Sequence, residues 1–255
     1  MVKSFDGKAV IITGSSSGMG QQTAVSFAKA GSSVVVHGRN ETGIKETVAL
    51  IEKAGVSLKR VASVLGPLED EKTLKSLVKT AIDKFGKIDI LVNAAGIASK
   101  PNVPYDSMEN FDFVMDVNLK APIRLALLCV PHLEKTKGNI INISSIASVV
   151  TCPNMPFYSM SKSALENFTR NYAIILAPKQ IRVNCLSPGL VRTGFQERMM
   201  PGKEGKQFID AFEKTIPVGR SGTTQEMAAA IKFIAKTEFM NGEIIKLDGG
   251  SALQH

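Results

Sequence analysis

Short runs of β-branched and aliphatic residues alternate with longer helical patterns along the whole chain. Most positions within these runs are apolar, which is typical of strands that are covered on both faces. The helical patterns between them end at glycine or proline residues. The predicted strands cover residues 8–13, 33–37, 60–64, 88–93, 139–144, 181–187 and 243–248.

This alternation predicts an α/β fold class, a single doubly wound parallel sheet of about seven strands with helices on both faces. We expect one domain over 1–255, because no repeat, low-complexity tract or linker divides the 255 residues. The segment 190–222 interrupts the alternation and has the length of a lid or a binding loop. The residues TTQE at 223–226 then resemble a capping box that opens the last helix.

Charge and composition limit the possible partners. The net charge is +8 and the pI about 9.4, but the basic residues are scattered along the chain. We therefore expect a solvated surface that attracts an anionic small ligand, and no nucleic-acid partner.

No apolar run approaches the ~18 residues that cross a bilayer, and the opening MVKSFDGK lacks the apolar core of a secretory signal. These features predict a soluble cytoplasmic protein without membrane contact.

The three cysteines, Cys129, Cys152 and Cys185, are widely spaced and form no CxxC pair. Such an arrangement is typical of reduced thiols in a reducing compartment and argues against zinc. We therefore predict no metal site.

A glycine-rich loop, TGSSSGMG at 13–20, follows the first predicted strand and precedes a helix. Its glycines allow a tight turn and a close approach of the backbone to a ligand. The helix start offers unpaired N–H groups and a partial positive charge to a pyrophosphate. The position of the loop between strand and helix predicts a dinucleotide site. The loop lacks the Lys-Ser/Thr pair of a Walker sequence.

The end of the second strand indicates which dinucleotide binds. An NAD site usually has a carboxylate there for the ribose 2′-hydroxyl, whereas this chain has Gly38, Arg39 and Asn40. An arginine can make a charge-assisted contact to a 2′-phosphate worth about 1.5–3 kcal/mol. We therefore predict that NADP(H) is preferred over NAD(H). The alternative is an ordinary surface arginine.

Tyr158 and Lys162 stand four residues apart, so on a helix they share one face. Bringing the pKa of a tyrosine from about 10 to near 7 takes roughly 4 kcal/mol, which an ammonium about 4 Å away supplies at an effective dielectric constant near 20. We expect Lys162 to lower the pKa of Tyr158 in this way. Ser145 ends the fifth strand where ligands of doubly wound sheets bind, and its hydroxyl can hold a substrate oxygen. The alternatives are that Tyr158 and Lys162 stand four residues apart by chance, and that Ser145 is an ordinary turn serine.

With these pieces in chain order, the sequence resembles the short-chain dehydrogenase/reductase family over nearly its whole length. The likeness also includes VNAAG at 92–96, DVNL at 116–119, NCLSPGLVRT at 184–193 and DGG at 248–250. Three positions depart from the family pattern. Ser63 replaces an aspartate that contacts adenine, Ala94 replaces an asparagine, and Ser17 stands where some NADP-dependent members have a basic residue.

The resemblance implies a Rossmann-like fold and a catalytic tetrad of Asn118, Ser145, Tyr158 and Lys162. Tyr158 would be the acid/base and Ser145 would orient the substrate oxygen. Lys162 would lower the tyrosine pKa and hold the nicotinamide ribose, while Asn118 would support a proton relay through water. The segment 190–222 would be the substrate-binding loop. The implied cofactor-binding residues are Gly14, Ser16, Ser17, Gly18, Met19, Arg39, Asn40, Ser63, Val64, Asn93, Ala95, Gly96, Tyr158, Lys162, Pro188, Gly189, Val191 and Thr193.

The sequence thus predicts an NADP(H)-dependent oxidoreductase that transfers a hydride between nicotinamide and a carbonyl or secondary alcohol of a small molecule, working as a carbonyl reductase. The alternative is an NADP(H)-binding scaffold or redox sensor with little turnover, against which the intact tetrad argues. The resemblance also implies a homotetramer. It would form through the helix predicted at 157–177 and its neighbour, since that helix carries apolar residues on more than one face. The alternative is that the core alone buries those faces.

Overall fold

A computed structural model describes residues 4–199 and 202–254. These residues contain one seven-stranded sheet. The strand order across the sheet is β3-β2-β1-β4-β5-β6-β7, and all neighbouring strands are parallel. The predicted fold class is therefore confirmed, and the strand bounds differ from prediction by at most two residues. The strands are β1 (Ala9–Ile12), β2 (Ser33–Gly38), β3 (Val61–Leu65), β4 (Ile90–Asn93), β5 (Asn139–Ile143), β6 (Arg182–Pro188) and β7 (Ile244–Leu247).

Helices connect successive strands. A π-helical turn, Asp116–Lys120, joins the fourth helix to the fifth, and the segment 190–222 contains the seventh and eighth. Within the described residues, no helix is both long and apolar enough to cross a membrane. The helices are α1 (Gly18–Lys29), α2 (Glu41–Lys53), α3 (Glu71–Phe85), α4 (Met108–Met115), α5 (Ala121–Thr136), α6 (Pro156–Leu176), α7 (Gly194–Met199), α8 (Gly202–Glu213) and α9 (Thr224–Lys236).

The predicted capping box is present at the start of α9. The Thr223 hydroxyl accepts from the N–H of Glu226 at 3.2 Å, and the Glu226 carboxylate accepts from the N–H of Thr223 at 2.8 Å. These two bonds satisfy N–H groups that have no partner within the helix.

Two apolar layers cover the sheet. Helices α1, α2 and α9 pack on one face through residues such as Phe27, Ile51 and Ile231, and α3, α5 and α6 pack on the other through residues such as Leu77 and Leu125. Burial on both faces explains why the strands are apolar at nearly every position. Strands β2 and β3 lie on one side of β1, and β4 to β7 lie on the other. The connections after β1 and β4 therefore lead away from each other, which opens a crevice at the carboxyl ends of these two strands.

Candidate active site

One cavity of about 1120 Å³ lies at the carboxyl ends of the strands and extends to α7 and α8. It brings together most of the site residues that the sequence predicts. Those lining it are Gly14, Ser16, Ser17, Gly18, Met19, Arg39, Asn40, Ala95, Gly96, Ser145, Tyr158, Lys162, Pro188, Gly189, Val191 and Thr193.

The glycine-rich loop forms a cradle that side chains would fill. Gly14 has a φ of +64°, and a Cβ on it would lie 2.6 Å from the Cα of Ala95. A Cβ on Gly20 would lie 2.3 Å from the Gly14 carbonyl oxygen. Ser17 precedes α1, but its side chain makes no capping hydrogen bond to the helix. The N–H groups at the start of α1 are thus left without a capping side chain, which fits a bound pyrophosphate.

His37 on β2 supports this loop. Its Nδ1 accepts from the N–H of Gly14 at 3.2 Å, and its Nε2 lies 3.1 Å from the carbonyl oxygen of Gly66. Its backbone N–H donates to the Ser15 hydroxyl at 2.9 Å. Burial lowers the pKa of His37 to about 4, so at neutral pH the ring is uncharged, with Nδ1 as acceptor and Nε2 as donor. The loop is therefore tied to the ends of both β2 and β3.

Arg39 and Asn40 stand at the rim of the cavity, at the end expected to hold the adenosine. Arg39 is exposed. The Asn40 Oδ1 accepts from the N–H of Gly43 at 3.0 Å and caps α2, so only its amide nitrogen is left to donate to a ligand. Glu46 and Glu69 line the same end. The cationic character of this end therefore comes from Arg39.

Ser63 and Val64 are placed differently from the adenine contacts that the resemblance implies. Val64 is buried in the core on the α3 side of the sheet, and Ser63 is exposed. The cavity lining near β3 comes instead from Leu68 and Glu69, which follow the strand. The expected position was carried over from the family pattern, whereas the lining depends on how the chain turns after Leu65.

Ser145, Tyr158, Lys162 and Glu166 form a group that we call the catalytic wall, on α6 and the segment after β5. Tyr158 and Lys162 are buried, with 8% and 3% of their surface exposed. The Nζ of Lys162 lies 5.6 Å from the centroid of the Tyr158 ring and donates to the carbonyl oxygen of Ile143 at 2.8 Å. The two side chains therefore share one helix face, as their spacing predicts.

The predicted pKa of Tyr158, near 7, is wrong for this structure. Burial raises the pKa of Tyr158 to about 12, although a hydrogen bond with Ser145 opposes the rise. Burial also lowers the pKa of Lys162 to about 8. Loss of solvation is the largest cause of both shifts, and the Lys162 ammonium is directed at the Ile143 carbonyl. At neutral pH Tyr158 is consequently a protonated phenol and Lys162 is mostly an ammonium.

Glu166 was missed by the sequence analysis. It is buried one helical turn after Lys162, and its Oε1 accepts from the hydroxyls of Ser144 at 2.8 Å and Ser148 at 2.6 Å. These serines flank Ser145, so the carboxylate holds the segment after β5 against α6. The available signal was the spacing: 158, 162 and 166 recur every four residues on one helix face.

Asn118 and Asn93 are turned toward the protein. Asn118 is fully buried in the π-helical turn. Its Oδ1 accepts from the N–H of Ile97 at 2.9 Å. Its Nδ2 donates to the Ile97 carbonyl at 2.8 Å and to Ser161 Oγ at 3.1 Å. Asn93 is also buried and donates to Asn142 Oδ1 at 2.9 Å. Asn118 thus holds the segment after β4 in place, next to the cavity lining, whereas Asn93 joins the end of β4 to β5.

Thr193 and the residues before it form the opposite wall of the cleft. A Cβ on Gly18 would lie 3.4 Å from the Thr193 side chain, so this threonine faces the glycine-rich loop. Gln196, also missed, accepts from the N–H of Thr193 at 3.0 Å and donates to the Val191 carbonyl at 2.8 Å. One amide thereby fixes the turn that enters α7.

Four apolar side chains of α7 and α8, Phe195, Phe208, Ile209 and Phe212, line the cavity above Tyr158, and we call them the aromatic roof. Outside it, Arg192 bonds Asp210 at 2.6 Å and, through Nε, Glu213 at 3.1 Å. Glu213 also accepts from the N–H of Ser221 at 2.8 Å. These contacts connect α8 to both ends of the segment 190–222.

The three cysteines are free thiols. Cys129 and Cys185 are buried, and Cys152 lines the cavity. Among residues 4–199 and 202–254, no group of three or more His, Cys, Asp or Glu side chains is arranged to hold a metal ion.

Comparison with known proteins decides the family. Residues 14–252 match a family model described as Enoyl-(Acyl carrier protein) reductase. A short-chain dehydrogenase/reductase of unknown function from Caenorhabditis elegans, solved with cofactor, is 36% identical, with a TM-score of 0.92 over 98% of this chain and 97% of that one. This chain belongs to the short-chain dehydrogenase/reductase family. It is also similar to an uncharacterized oxidoreductase of Thermotoga maritima, 38% identical over 97% of this chain and 98% of the relative.

The chain is also similar to the solved structure of a glucose dehydrogenase of Caenorhabditis elegans in its apo form, which is 40% identical, with a TM-score of 0.86 over 98% of this chain and 99% of that one. As a short-chain dehydrogenase/reductase, the protein is an oxidoreductase that acts on CH–OH or C=O groups of a small molecule. Its family binds a nicotinamide cofactor, NAD or NADP.

Proposed function

We propose that the protein is an NADP(H)-dependent carbonyl reductase. The observation that carries this proposal is the catalytic wall: a buried phenol, a hydroxyl and an ammonium face the cavity that also contains the glycine-rich loop. The phenol of Tyr158 is protonated at neutral pH, so it carries the proton that a general acid would give to a carbonyl oxygen.

The cofactor would lie along the cavity from Arg39 to Thr193. The glycine-rich loop and the start of α1 would hold the pyrophosphate, Arg39 a 2′-phosphate, and Lys162 and Thr193 the nicotinamide end. When bound, the cofactor supplies the hydride that its C4 carries. Glu46 and Glu69 at the adenosine end would favour ribose hydroxyls, so the preference for NADP rests on Arg39.

The chain's own residues would handle the proton. Ser145 would hold the substrate oxygen, Tyr158 would donate its phenolic proton to that oxygen, and the Lys162 ammonium would stabilise the phenolate left behind. Protons would return by a relay past Asn118. A Cβ on Gly96 would lie 3.3 Å from the Lys162 Nζ and 3.6 Å from the Asn118 Oδ1, so both groups border one point of the lining. The segment 190–222 would be the substrate-binding loop of this single domain.

Activity is tested by following oxidation of NADPH and NADH with a panel of ketones and aldehydes, and the reverse reaction with the alcohols. We expect turnover of carbonyls with NADPH. The alternative, a cofactor-binding scaffold or redox sensor, predicts NADPH binding by calorimetry without turnover of any member of the panel.

Cofactor preference is tested by Arg39→Asp. The carboxylate would repel a 2′-phosphate, so the ratio of kcat/KM for NADPH over NADH should fall about 100-fold. Lys59→Asp makes the same charge change at an exposed residue outside the cavity lining and serves as the control. An unchanged ratio in Arg39→Asp would contradict the assignment of NADP.

We further propose a cytoplasmic homotetramer. Met160, Ile174 and Ile175 on α6 and Leu127 on α5 expose half or more of their surface, and apolar side chains exposed on neighbouring helices favour a contact between subunits. Light scattering during size-exclusion chromatography should give four times the 27.4 kDa mass of the chain, and a monomeric mass would contradict the proposal.

A further inference from the structure

We infer that the substrate is a neutral carbonyl compound with a bulky apolar group, preferably an aromatic ring, beside the carbonyl. The inference rests on the proposed function for the identity of the reacting atoms. It adds the class of substrate, which follows from the side chains that surround Tyr158.

The roof begins at Phe195 on α7. Its ring centroid lies 5.9 Å from that of Tyr158, and the two planes are tilted by 46°. Aromatic rings at such separations attract one another and other π-systems. A carbonyl that reaches the Tyr158 hydroxyl therefore brings its neighbouring atoms beside the face or edge of Phe195.

Helix α8 extends the roof. Phe208 and Phe212 are four residues apart, and both line the cavity together with Ile209. Phe208 keeps 52% of its surface exposed. Large apolar side chains that stay exposed in a concave surface mark a place where an apolar ligand is buried.

The segment 146–157 also contributes apolar side chains to the cavity, together with the neutral polar residues Thr151 and Asn154. Ile146, Val150, Met155 and Phe157 line it. Phe157 is held in place by an edge-to-face contact with Phe111, with ring centroids 5.2 Å apart. We call the part of the cavity that the roof and these side chains line the apolar slot.

Charge is distributed unevenly along the cavity. The charged lining residues that the structure describes are Arg39, Glu46 and Glu69 at the adenosine end and Lys162 at the reactive centre. Around the roof the described polar lining is neutral, and the Gln196 amide already bonds Val191 and Thr193. A substrate carboxylate or phosphate would lose its water there without gaining a charged partner among the described lining residues, which is unfavourable.

The test compares matched carbonyls with NADPH: acetophenone, its carboxylate analogue 4-acetylbenzoate, 2-butanone and dihydroxyacetone. We expect kcat/KM for acetophenone to exceed that for 4-acetylbenzoate and for dihydroxyacetone at least 100-fold. Phe212→Ala should lower kcat/KM for acetophenone about 10-fold and that for 2-butanone less than 2-fold. Lys206→Ala, an exposed change on the same helix, is the control. Phe208→Leu repeats the test with a smaller change in volume should Phe212→Ala not fold.

Equal or greater kcat/KM for dihydroxyacetone or 4-acetylbenzoate would overturn the inference and leave the proposed function standing. Binding of 1-phenylethanol, followed by saturation-transfer NMR and weakened in Phe212→Ala, separates the two claims. Such binding without turnover of any carbonyl would support the apolar slot and overturn the proposed function. Neither binding nor turnover would overturn both.

Discussion

The catalytic wall and the aromatic roof face each other across one cavity but are held in place by different forces. The wall is buried and fixed by hydrogen bonds, since Lys162 bonds Ile143, and Glu166 bonds Ser144 and Ser148. The roof rests on apolar packing and on exposed ion pairs around Arg192. Buried hydrogen-bonded groups keep one geometry, whereas exposed ion pairs contribute only about 0–1 kcal/mol.

Because of this difference, we expect changes in the wall and changes in the roof to affect different kinetic constants. On the proposed function, the wall would fix the atoms that exchange a proton, so changes in it should lower kcat for every substrate. The roof would contact the part of the substrate that does not react, so changes in it should alter KM and the preference among substrates.

Tyr158→Phe should produce the largest effect. The ring keeps its packing against Phe195 but loses the proton, so kcat should fall about 1000-fold for all carbonyls. The dissociation constant of NADPH, measured by fluorescence titration, should change less than 3-fold. Turnover close to that of the wild-type protein would remove Tyr158 from the mechanism.

Glu166→Leu should lower kcat about 10-fold, because Ser144 and Ser148 lose their acceptor and the segment carrying Ser145 loosens. KM should change little, since Glu166 does not line the cavity. Glu166→Gln retains an acceptor oxygen and should restore most of kcat, which distinguishes positioning from a general loss of stability. Equal losses in both variants would contradict the positioning role.

Arg192→Ala should have the smallest effect. It removes the ion pairs to Asp210 and Glu213, so KM for the carbonyl should rise about 3-fold with kcat nearly unchanged. Arg220→Ala breaks a similarly exposed pair, with Glu226 at the start of α9, and should leave KM unchanged. A fall in kcat without a change in KM would contradict the division between wall and roof.

Much of the fold could be predicted from the sequence because it depends on local patterns. The apolar runs marked the strands, Thr223 and Glu226 marked a helix start, and the TGSSSGMG loop marked the turn between β1 and α1. The shared face of Tyr158 and Lys162 followed from helix geometry alone. These features need only residues that are near one another in the chain.

The rest depends on contacts between distant segments. The hydrogen bond from Gly14 to His37 spans 23 positions, and that from Ser144 to Glu166 spans 22, so neither leaves a local pattern. The pKa of Tyr158 depends on how completely the fold removes it from water. Ser63 and Val64 were expected from the family pattern, but the turn toward Leu68 decides which residues reach the cavity.

A titration of Tyr158 tests most directly the claim that this residue is a protonated phenol at neutral pH. The chain contains three tyrosines, so ¹³C labelling at the ring carbon that bears the hydroxyl gives three NMR signals, and Tyr158→Phe identifies the one that matters. We predict that this signal keeps the chemical shift of a neutral phenol from pH 6 past pH 10, because burial raises the pKa of Tyr158 to about 12. Ionisation near pH 7 in the free protein would contradict it.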